Sequence, residues 1–138
     1  MSSIPESLES LINSFSQLPG IGKKTAKRLG LFILKEDFSY AKELSASLID
    51  VKEKIKYCKN CNNFTETEIC MICNDESRSS KTICILKKAS DVITFERTGY
   101  NGRYHILGNL ISPVDGITED DLNIESLLSR LDNHAAHQ

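Results

Sequence analysis

The sequence of 138 residues lacks any apolar run near the roughly 18 residues that a membrane-spanning helix requires. Its first residues also lack the basic-then-apolar pattern of a secretory signal, and it contains no internal repeat and no low-complexity segment. Hydrophobic residues make up 40% of the chain, which is enough for globular folding. We therefore predict a cytoplasmic protein without a membrane partner, built as one ordinary domain or as two to three small modules.

Acidic residues are missing from positions 19–35, a segment that carries five cations and a local charge of +5. Positions 115–132 show the opposite bias, with six acids against one arginine and a local charge of −5. A basic block can bind a polyanion, and an acidic segment can bind a protein or repel nucleic acid. Charge alone favours a solvated helix face, so neither segment identifies a function without a motif beside it.

The N-terminal part has the spacing of three short amphipathic helices. A capping box at Ser3 and Glu6 introduces apolar residues at helical spacing over 8–18. A second helix begins near Lys23, and apolar residues at spacings of three and four predict a third over 41–55. The three helices are expected to share one small core.

The C-terminal part alternates between strand and helix patterns. An apolar run at 82–86 is typical of a strand buried on both faces, and a helix is predicted over 89–98. A second strand at 103–107, a loop over 108–121 and a helix over 124–131 follow. This order predicts a parallel α/β unit, so the fold class is mixed, α+β, with a helical domain preceding the α/β segment.

Four of the five cysteines form two pairs, Cys58-x2-Cys61 and Cys70-x2-Cys73. This spacing lets four thiolates converge on one ion, in the all-sulfur tetrahedral shell that zinc favours in structural sites. Such a shell leaves no position open for water, so catalysis at the metal is not expected. Disulfides and redox chemistry are the alternatives, and a reducing compartment disfavours the first. Cys84, in the predicted strand, is interpreted as a small core residue.

The segment 18–29 contains a second motif, in which Gly20 and Gly22 permit a tight hairpin between two helices. The helix after the hairpin presents unpaired N–H groups and the positive end of its dipole, an arrangement that binds phosphate. The alternative is an ordinary corner between two helices. The adjacent cations favour DNA contact through phosphates, with little sequence specificity. The candidate DNA-binding residues are Gly20, Gly22, Lys23, Lys24, Lys27 and Arg28.

The α/β segment resembles the start of the Toprim domain in the RecR family of bacterial recombination mediators. The resemblance rests on the residues at 83–86, 90–92, 96–99, 102–108 and 110–117. In that family a helix-hairpin-helix motif, a four-cysteine zinc motif and a Toprim domain follow one another in the order seen in this chain. The resemblance extends from about residue 3 to residue 131 and covers nearly the whole sequence.

The resemblance implies three domains. These are a helical DNA-binding domain at 1–56, a four-cysteine zinc knuckle at 57–74 with one structural Zn²⁺, and the N-terminal part of a Toprim domain at 81–138. It also implies a mediator that acts with RecO- and RecF-like proteins to load RecA at gapped DNA. A homo-oligomer, from dimer to ring tetramer, and a nucleoid-associated location are expected by the same resemblance.

The resemblance does not imply an enzyme. Catalytic Toprim domains place a glutamate at the end of the first strand and an Asp-x-Asp further on, to hold Mg²⁺. Here Lys87 and Lys88 stand at the corresponding strand end, and no Asp-x-Asp occurs in the sequence. Two alternatives remain, a zinc-stabilised adaptor that binds protein only and a fragment of a Mg²⁺-dependent Toprim nuclease or topoisomerase.

Overall fold

The protein divides into two compact units, Met1–Lys52 and Glu53–Gln138. The computed structural model describes residues 3–108, 113–116, 118 and 122–136, with the backbone alone at 113 and 133–136. The predicted loop over 108–121 therefore lies largely outside the described residues. Within these ranges no helix combines the length and the apolar character needed to cross a membrane.

The three predicted helices are α1 (Glu6–Ser16), α2 (Lys23–Lys35) and α3 (Phe38–Lys54), and all but the last two residues of α3 belong to unit 1. The predicted capping box is wrong: α1 begins at Glu6 after Pro5, and no side chain caps its first turn. The first backbone hydrogen bond of α1 runs from the N–H of Glu9 to the carbonyl of Pro5, at 3.0 Å.

The hairpin between α1 and α2 is held by close packing of these two helices. Ala26 is fully buried, and Gly30 lies one helical turn further along the same face of α2. A Cβ atom at Gly30 would lie 2.8 Å from Cγ1 of Ile12 on α1, closer than real atoms approach. Glycine at this position therefore lets the two backbones come together and fixes the orientation of the loop that joins them.

The expectation that α3 shares this core is wrong, because every residue of α3 except Ala41 is exposed. Leu48 and Val51 are 64% and 60% exposed. The first turn of α3 does contact α2, since the rings of Phe32 and Tyr40 meet edge to face with centroids 5.4 Å apart. The periodicity correctly predicts a helix with an apolar stripe, but in unit 1 that stripe is not packed against α1 and α2.

Unit 2 begins with a β-hairpin and a short helix. Strands β1 (Lys56–Tyr57) and β2 (Phe64–Thr65) pair antiparallel, and α4 (Met71–Asn74) follows. Neither the hairpin nor α4 is predicted by the sequence pattern, because each is too short to show a period.

The α/β segment follows as predicted. Strand β3 (Ile83–Leu86), helix α5 (Ser90–Glu96) and strand β4 (Arg103–Ile106) form a strand–helix–strand unit in which the two strands pair parallel. A 3-10 turn at Pro113–Asp115 and helix α6 (Ile124–Ala136) complete the described elements.

The core of unit 2 lies between α5 and β4. Its buried members are Ala89, Val92, Tyr104 and Ile106, and Ile72 of α4 packs both on them and on the cysteines. The zinc knuckle is too small to enclose a core of its own, and through Ile72 it shares the hydrophobic core of the α/β segment. Burial of β3 on both faces is a wrong expectation, because Ile85 is 50% exposed, whereas β4 is buried almost throughout. Cys84 is partly buried and packs against the core as predicted.

His105 on β4 is fully buried, and its hydrogen bonds define its protonation state. Its Nε2 lies 2.6 Å from the carbonyl oxygen of Asn123, and its Nδ1 lies 2.9 Å from Nη1 of Arg130. A carbonyl only accepts and a guanidinium only donates, so the ring is neutral with its proton on Nε2. Burial lowers the pKa of His105, the charge of Arg130 adds to this effect, and the bond to Asn123 opposes it.

We expect the stability of unit 2 to fall as the pH drops below about 6.5, the ordinary pKa of histidine. Below that pH the unfolded chain takes up a proton that the folded chain excludes, so protonation favours unfolding. The measurement is the urea midpoint across this pH range, for the wild type and for His105→Gln. The variant should be less stable at neutral pH and show a flatter dependence. Equal pH dependence in both proteins would contradict the assignment.

Candidate metal centre and nucleic-acid interface

The four paired cysteines converge on one point in unit 2. Their Sγ atoms all lie within 4.8 Å of one another, with 3.9 Å between Cys58 and Cys73 and 3.6 Å between Cys61 and Cys70. A tetrahedron with Zn–S bonds of about 2.3 Å has edges of about 3.8 Å, so the spacing fits a Zn²⁺ ion. Three of the four residues are buried, and Cys73 is partly buried.

Each of the four sulfur atoms is also 3.2–3.4 Å from one N–H donor. Backbone N–H groups donate to Cys58, Cys61 and Cys70, and the side-chain amide of Asn60 donates to Cys73. Such bonds favour the ionised form of the acceptor and disperse the charge of a four-thiolate shell. These four N–H donors therefore fit a metal centre of ionised thiolates better than a cluster of neutral thiols.

Contacts among the sulfur atoms split the pKa values of the cysteines. A hydrogen bond with Cys70 raises the pKa of Cys61, and the same contact lowers the pKa of Cys70. Thiols this close to one another cannot all ionise easily, because like charges at this distance disfavour ionisation. A bound Zn²⁺ supplies the positive charge that stabilises all four thiolates together.

Two local structures bring the cysteines together. After β1, the carbonyl of Cys58 accepts the N–H of Asn62 at 2.8 Å, in a tight turn completed by the positive φ of 67° at Asn62. Cys70 is the N-cap of α4, and its Sγ accepts the N–H of Cys73 in the first turn. Each Cys-x2-Cys pair therefore lies on a single turn of backbone, which is why its spacing is readable from the sequence.

Strand β4 connects the zinc knuckle to the α/β segment. The N–H of Ile106 donates to the carbonyl of Cys61 at 2.8 Å. The guanidinium of Arg103 donates to three carbonyls at the end of α4, those of Ile72, Cys73 and Asp75, with a shortest distance of 2.6 Å to Cys73. The carbonyl of Ile72 also accepts the backbone N–H of Asp75, and all three carbonyls lie at the C-terminus of α4, so Arg103 acts as a cap of that helix end.

A second arginine, Arg78, supports the same junction. It forms an ion pair with Glu96, which also accepts the hydroxyl of Tyr104 at 2.6 Å, and it donates to the carbonyl of Gly102 at 3.2 Å. Arg78 lowers the pKa of Glu96 through this bond. The sequence predicts a role for neither arginine, because a partly buried arginine that donates to backbone carbonyls leaves no spacing signal.

The second candidate site is the loop between α1 and α2. Gly20 has a φ of 78°, a conformation that side chains other than glycine rarely adopt, and Ile21 donates its N–H to the carbonyl of Leu18 at 3.1 Å. Gly22 is the N-cap of α2, and no side chain caps that helix end. No atom lies within 4 Å of a Cβ built at either glycine, so the backbone is open to a ligand.

The structure places the four predicted cations together on the first two turns of α2. None is buried, and among the described residues none of them forms an ion pair. Ala26 lies on the opposite, buried face of the same helix. The loop glycines, the helix N-terminus and the cations thus form one surface, and its members are Gly20, Gly22, Lys23, Lys24, Lys27 and Arg28.

The carboxyl end of β3 carries Lys87 and Lys88, both exposed, where a Mg²⁺-dependent Toprim site would need a carboxylate. In the described part of the chain, the four cysteines form the one cluster of candidate metal ligands. The end of β3 therefore carries two lysines at the position where catalytic Toprim domains hold Mg²⁺ with a carboxylate.

Comparison with protein families assigns each segment. The helix-hairpin-helix model of RecR matches 8–52, the four-cysteine zinc finger model of RecR matches 55–75, and the Toprim domain model matches 81–136. The zinc-finger match and the convergence of the cysteines agree with the prediction of one structural zinc ion.

Curated relatives carry the name recombination protein RecR. The protein from Porphyromonas gingivalis is 41% identical over 95% of this chain and 64% of its own length. Those from Chloroherpeton thalassium and Chlorobium limicola are 45% and 47% identical over 90% of this chain, each across 62% of its own length. The chain thus spans slightly less than two thirds of the relatives that it matches. In each of its three matched segments, this chain is similar to RecR recombination proteins or to the Toprim domain.

Proposed function

We propose that this chain binds DNA through the α1–α2 hairpin as a non-catalytic RecR-type mediator of recombinational repair. One observation carries the proposal: the uncapped start of α2 and its four cations form a surface with no carboxylate paired to it in the described residues. Backbone N–H groups and lysines suit phosphate oxygens, which are the same at every base pair. Binding should therefore be sensitive to salt and nearly indifferent to sequence.

The partners belong to the same proposal. By family resemblance, the protein acts in the cytoplasm at the nucleoid, with RecO- and RecF-like proteins, to help load RecA at gapped DNA. A homo-oligomer, from dimer to ring tetramer, is part of this proposal.

The assignment of residues and domains is proposed in the same way. The zinc ligands are Cys58, Cys61, Cys70 and Cys73. The helix-hairpin-helix domain extends over 1–56, the zinc knuckle over 57–74 and the Toprim part over 81–138. The convergence of the four thiols supports the first assignment, and the positions matched by the family models support the second.

The test is charge reversal on the hairpin surface. Lys23→Glu/Arg28→Glu should weaken binding of a labelled DNA fragment by at least about tenfold at low salt, measured by fluorescence anisotropy. The slope of log K against log salt should become shallower by about 1.8 for duplex DNA, since two phosphate contacts are lost.

The matched control is Lys42→Glu/Lys52→Glu, which reverses two exposed charges on α3 and should leave DNA affinity near that of the wild type. If DNA affinity survives the hairpin substitutions, the DNA face is elsewhere. A wild-type protein that binds zinc and ignores DNA would instead favour the adaptor function.

A further inference from the structure

We propose a second DNA contact, in which unpaired bases of a single strand enter a cleft between the zinc knuckle and the carboxyl edge of the β3–β4 sheet. The cleft has a volume of about 360 Å³ and lies entirely within unit 2. We call it the aromatic–lysine cleft, and its lining includes Tyr57, Asn62, Phe64, Lys87, Lys88 and Gly108. The proposal rests on the DNA-binding function proposed above and adds a site to it.

One side of the aromatic–lysine cleft is a pair of exposed rings. Tyr57 and Phe64 are directly opposite one another in the β1–β2 hairpin, so both side chains stand on one face of it. Their ring centroids are 5.8 Å apart and their planes are inclined by 31°. The two residues remain 60% and 41% exposed, although large aromatic side chains gain most by being covered. A flat apolar ligand that stacks on them would cover them.

The other side is formed by the ends of the parallel strands. Lys87 and Lys88 follow β3 directly, and the N–H of Gly108 donates to the carbonyl of Lys87 at 2.9 Å, which holds this edge in place. In open sheets with parallel strands, ligands bind in the crevice outside the carboxyl ends of the strands. The cleft therefore lies where this architecture commonly places a ligand.

The charge of the cleft identifies the class of ligand. The described residues that line the cleft include no carboxylate. In the described part of the chain, no aspartate or glutamate forms an ion pair with Lys87 or Lys88. Asn62 adds an amide at the floor, with Nδ2 3.9 Å from the position of a Cβ at Gly108. Two cations, two stacking rings and one amide match the phosphate, the face and the edge of a nucleotide.

Single-stranded rather than duplex DNA fits this surface. Bases in a duplex are stacked on one another and their faces are not available to Tyr57 and Phe64. In an unpaired strand the faces are free, and stacking on aromatic side chains is tolerant of base identity. An apolar protein partner would use the rings but would gain nothing from two unpaired lysines, so we assign the cleft to a single strand.

The first experiment separates stacking from charge with two double variants of the full chain. The probe is a fluorescently labelled oligodeoxythymidylate of about 12 nucleotides. Tyr57→Leu/Phe64→Leu should weaken its binding about tenfold without changing the salt slope, because no phosphate contact is lost. Lys87→Gln/Lys88→Gln should make the salt slope shallower by about 1.4, as expected for two phosphate contacts to a single strand.

Controls address folding and the hairpin surface. Phe38→Leu removes an exposed ring of unit 1 and should leave affinity unchanged. All variants should bind one equivalent of zinc, which shows that the knuckle is intact. Lys23→Glu/Arg28→Glu combined with Tyr57→Leu/Phe64→Leu should show additive losses, because separate sites act independently.

A second measurement does not depend on loss of binding. The chain contains no tryptophan, so Tyr57→Trp introduces a unique fluorophore at the cleft. Its emission should be quenched by the oligodeoxythymidylate and much less by duplex of the same length. Unchanged affinity in both cleft variants, or an unquenched signal from the introduced tryptophan while the strand is bound, would overturn the proposal and leave the hairpin as the DNA site. Absence of any DNA binding by the wild type would instead refute the proposed function itself.

Discussion

Replacing Cys61 by serine should abolish zinc binding and disorder the zinc knuckle. Cys61 is 1% exposed, and its Sγ is 3.6 Å from that of Cys70, so its loss opens a closed four-sulfur shell. Structural zinc contributes on the order of 10 kcal/mol to the folding of small sites of this type. A knuckle whose cysteine cluster is packed chiefly by Ile69 and Ile72 has little apolar burial to replace that energy.

The consequences should extend into the sheet, because the carbonyl of Cys61 accepts the N–H of Ile106 on β4. We expect metal analysis to find far less than one equivalent of zinc in Cys61→Ser. Hydrogen exchange should show faster exchange of the Ile106 amide and of the amides that point at the sulfur atoms, such as that of Cys70.

The matched control is Cys84→Ser, the same change at the one cysteine outside the cluster. Burial raises the pKa of the Cys84 thiol, which is not a ligand candidate and packs against the α/β core. This variant should keep one equivalent of zinc and lose only modest stability. Full zinc occupancy in Cys61→Ser, or zinc loss in Cys84→Ser, would show that the metal is held elsewhere.

The parts of the site that could be predicted from the sequence are those fixed by local backbone. Each Cys-x2-Cys pair lies on one turn, and the hairpin glycines lie next to the helix that they introduce, so spacing alone places these groups together. The parallel pairing of β3 and β4 was predictable for a related reason, since the intervening α5 provides the crossover that parallel strands require.

The features that escaped prediction depend on contacts between distant residues. The exposed stripe of α3 has the periodicity of a core helix, and periodicity shows which face is apolar but not whether another element covers it. The predicted capping box at Ser3 and Glu6 failed for a local reason, because α1 begins at Glu6 and its N-cap position is occupied by Pro5, which has no side-chain acceptor. Lys87 and Phe64 are 23 positions apart in the sequence, yet they line one cleft, and nothing in their spacing relates them.

Arg103 gives the largest effect expected outside the metal shell. Arg103→Met keeps most of the apolar stem but removes the donors to the carbonyls of Ile72, Cys73 and Asp75. A hydrogen bond from a charged donor is worth about 1.5–3 kcal/mol, and bonds that share one guanidinium do not contribute additively. We expect the free energy of unfolding of unit 2 to fall by about 3 kcal/mol, measured by urea denaturation.

The same substitution tests how the zinc knuckle is coupled to β4. Since Arg103 caps the helix that carries Cys73, its removal should also speed the transfer of zinc to a competing chelator, although Arg103 is not a ligand. Arg103→Lys should restore only part of both properties, because an ammonium cannot span three carbonyls as the planar guanidinium does. Arg97→Met, at an exposed arginine after α5, is the matched control and should change neither. If Arg103→Met lowers stability but leaves zinc transfer unchanged, the cap holds the two segments together without supporting the metal shell, and the knuckle is positioned by Ile72 and the bond from Ile106 to Cys61 alone.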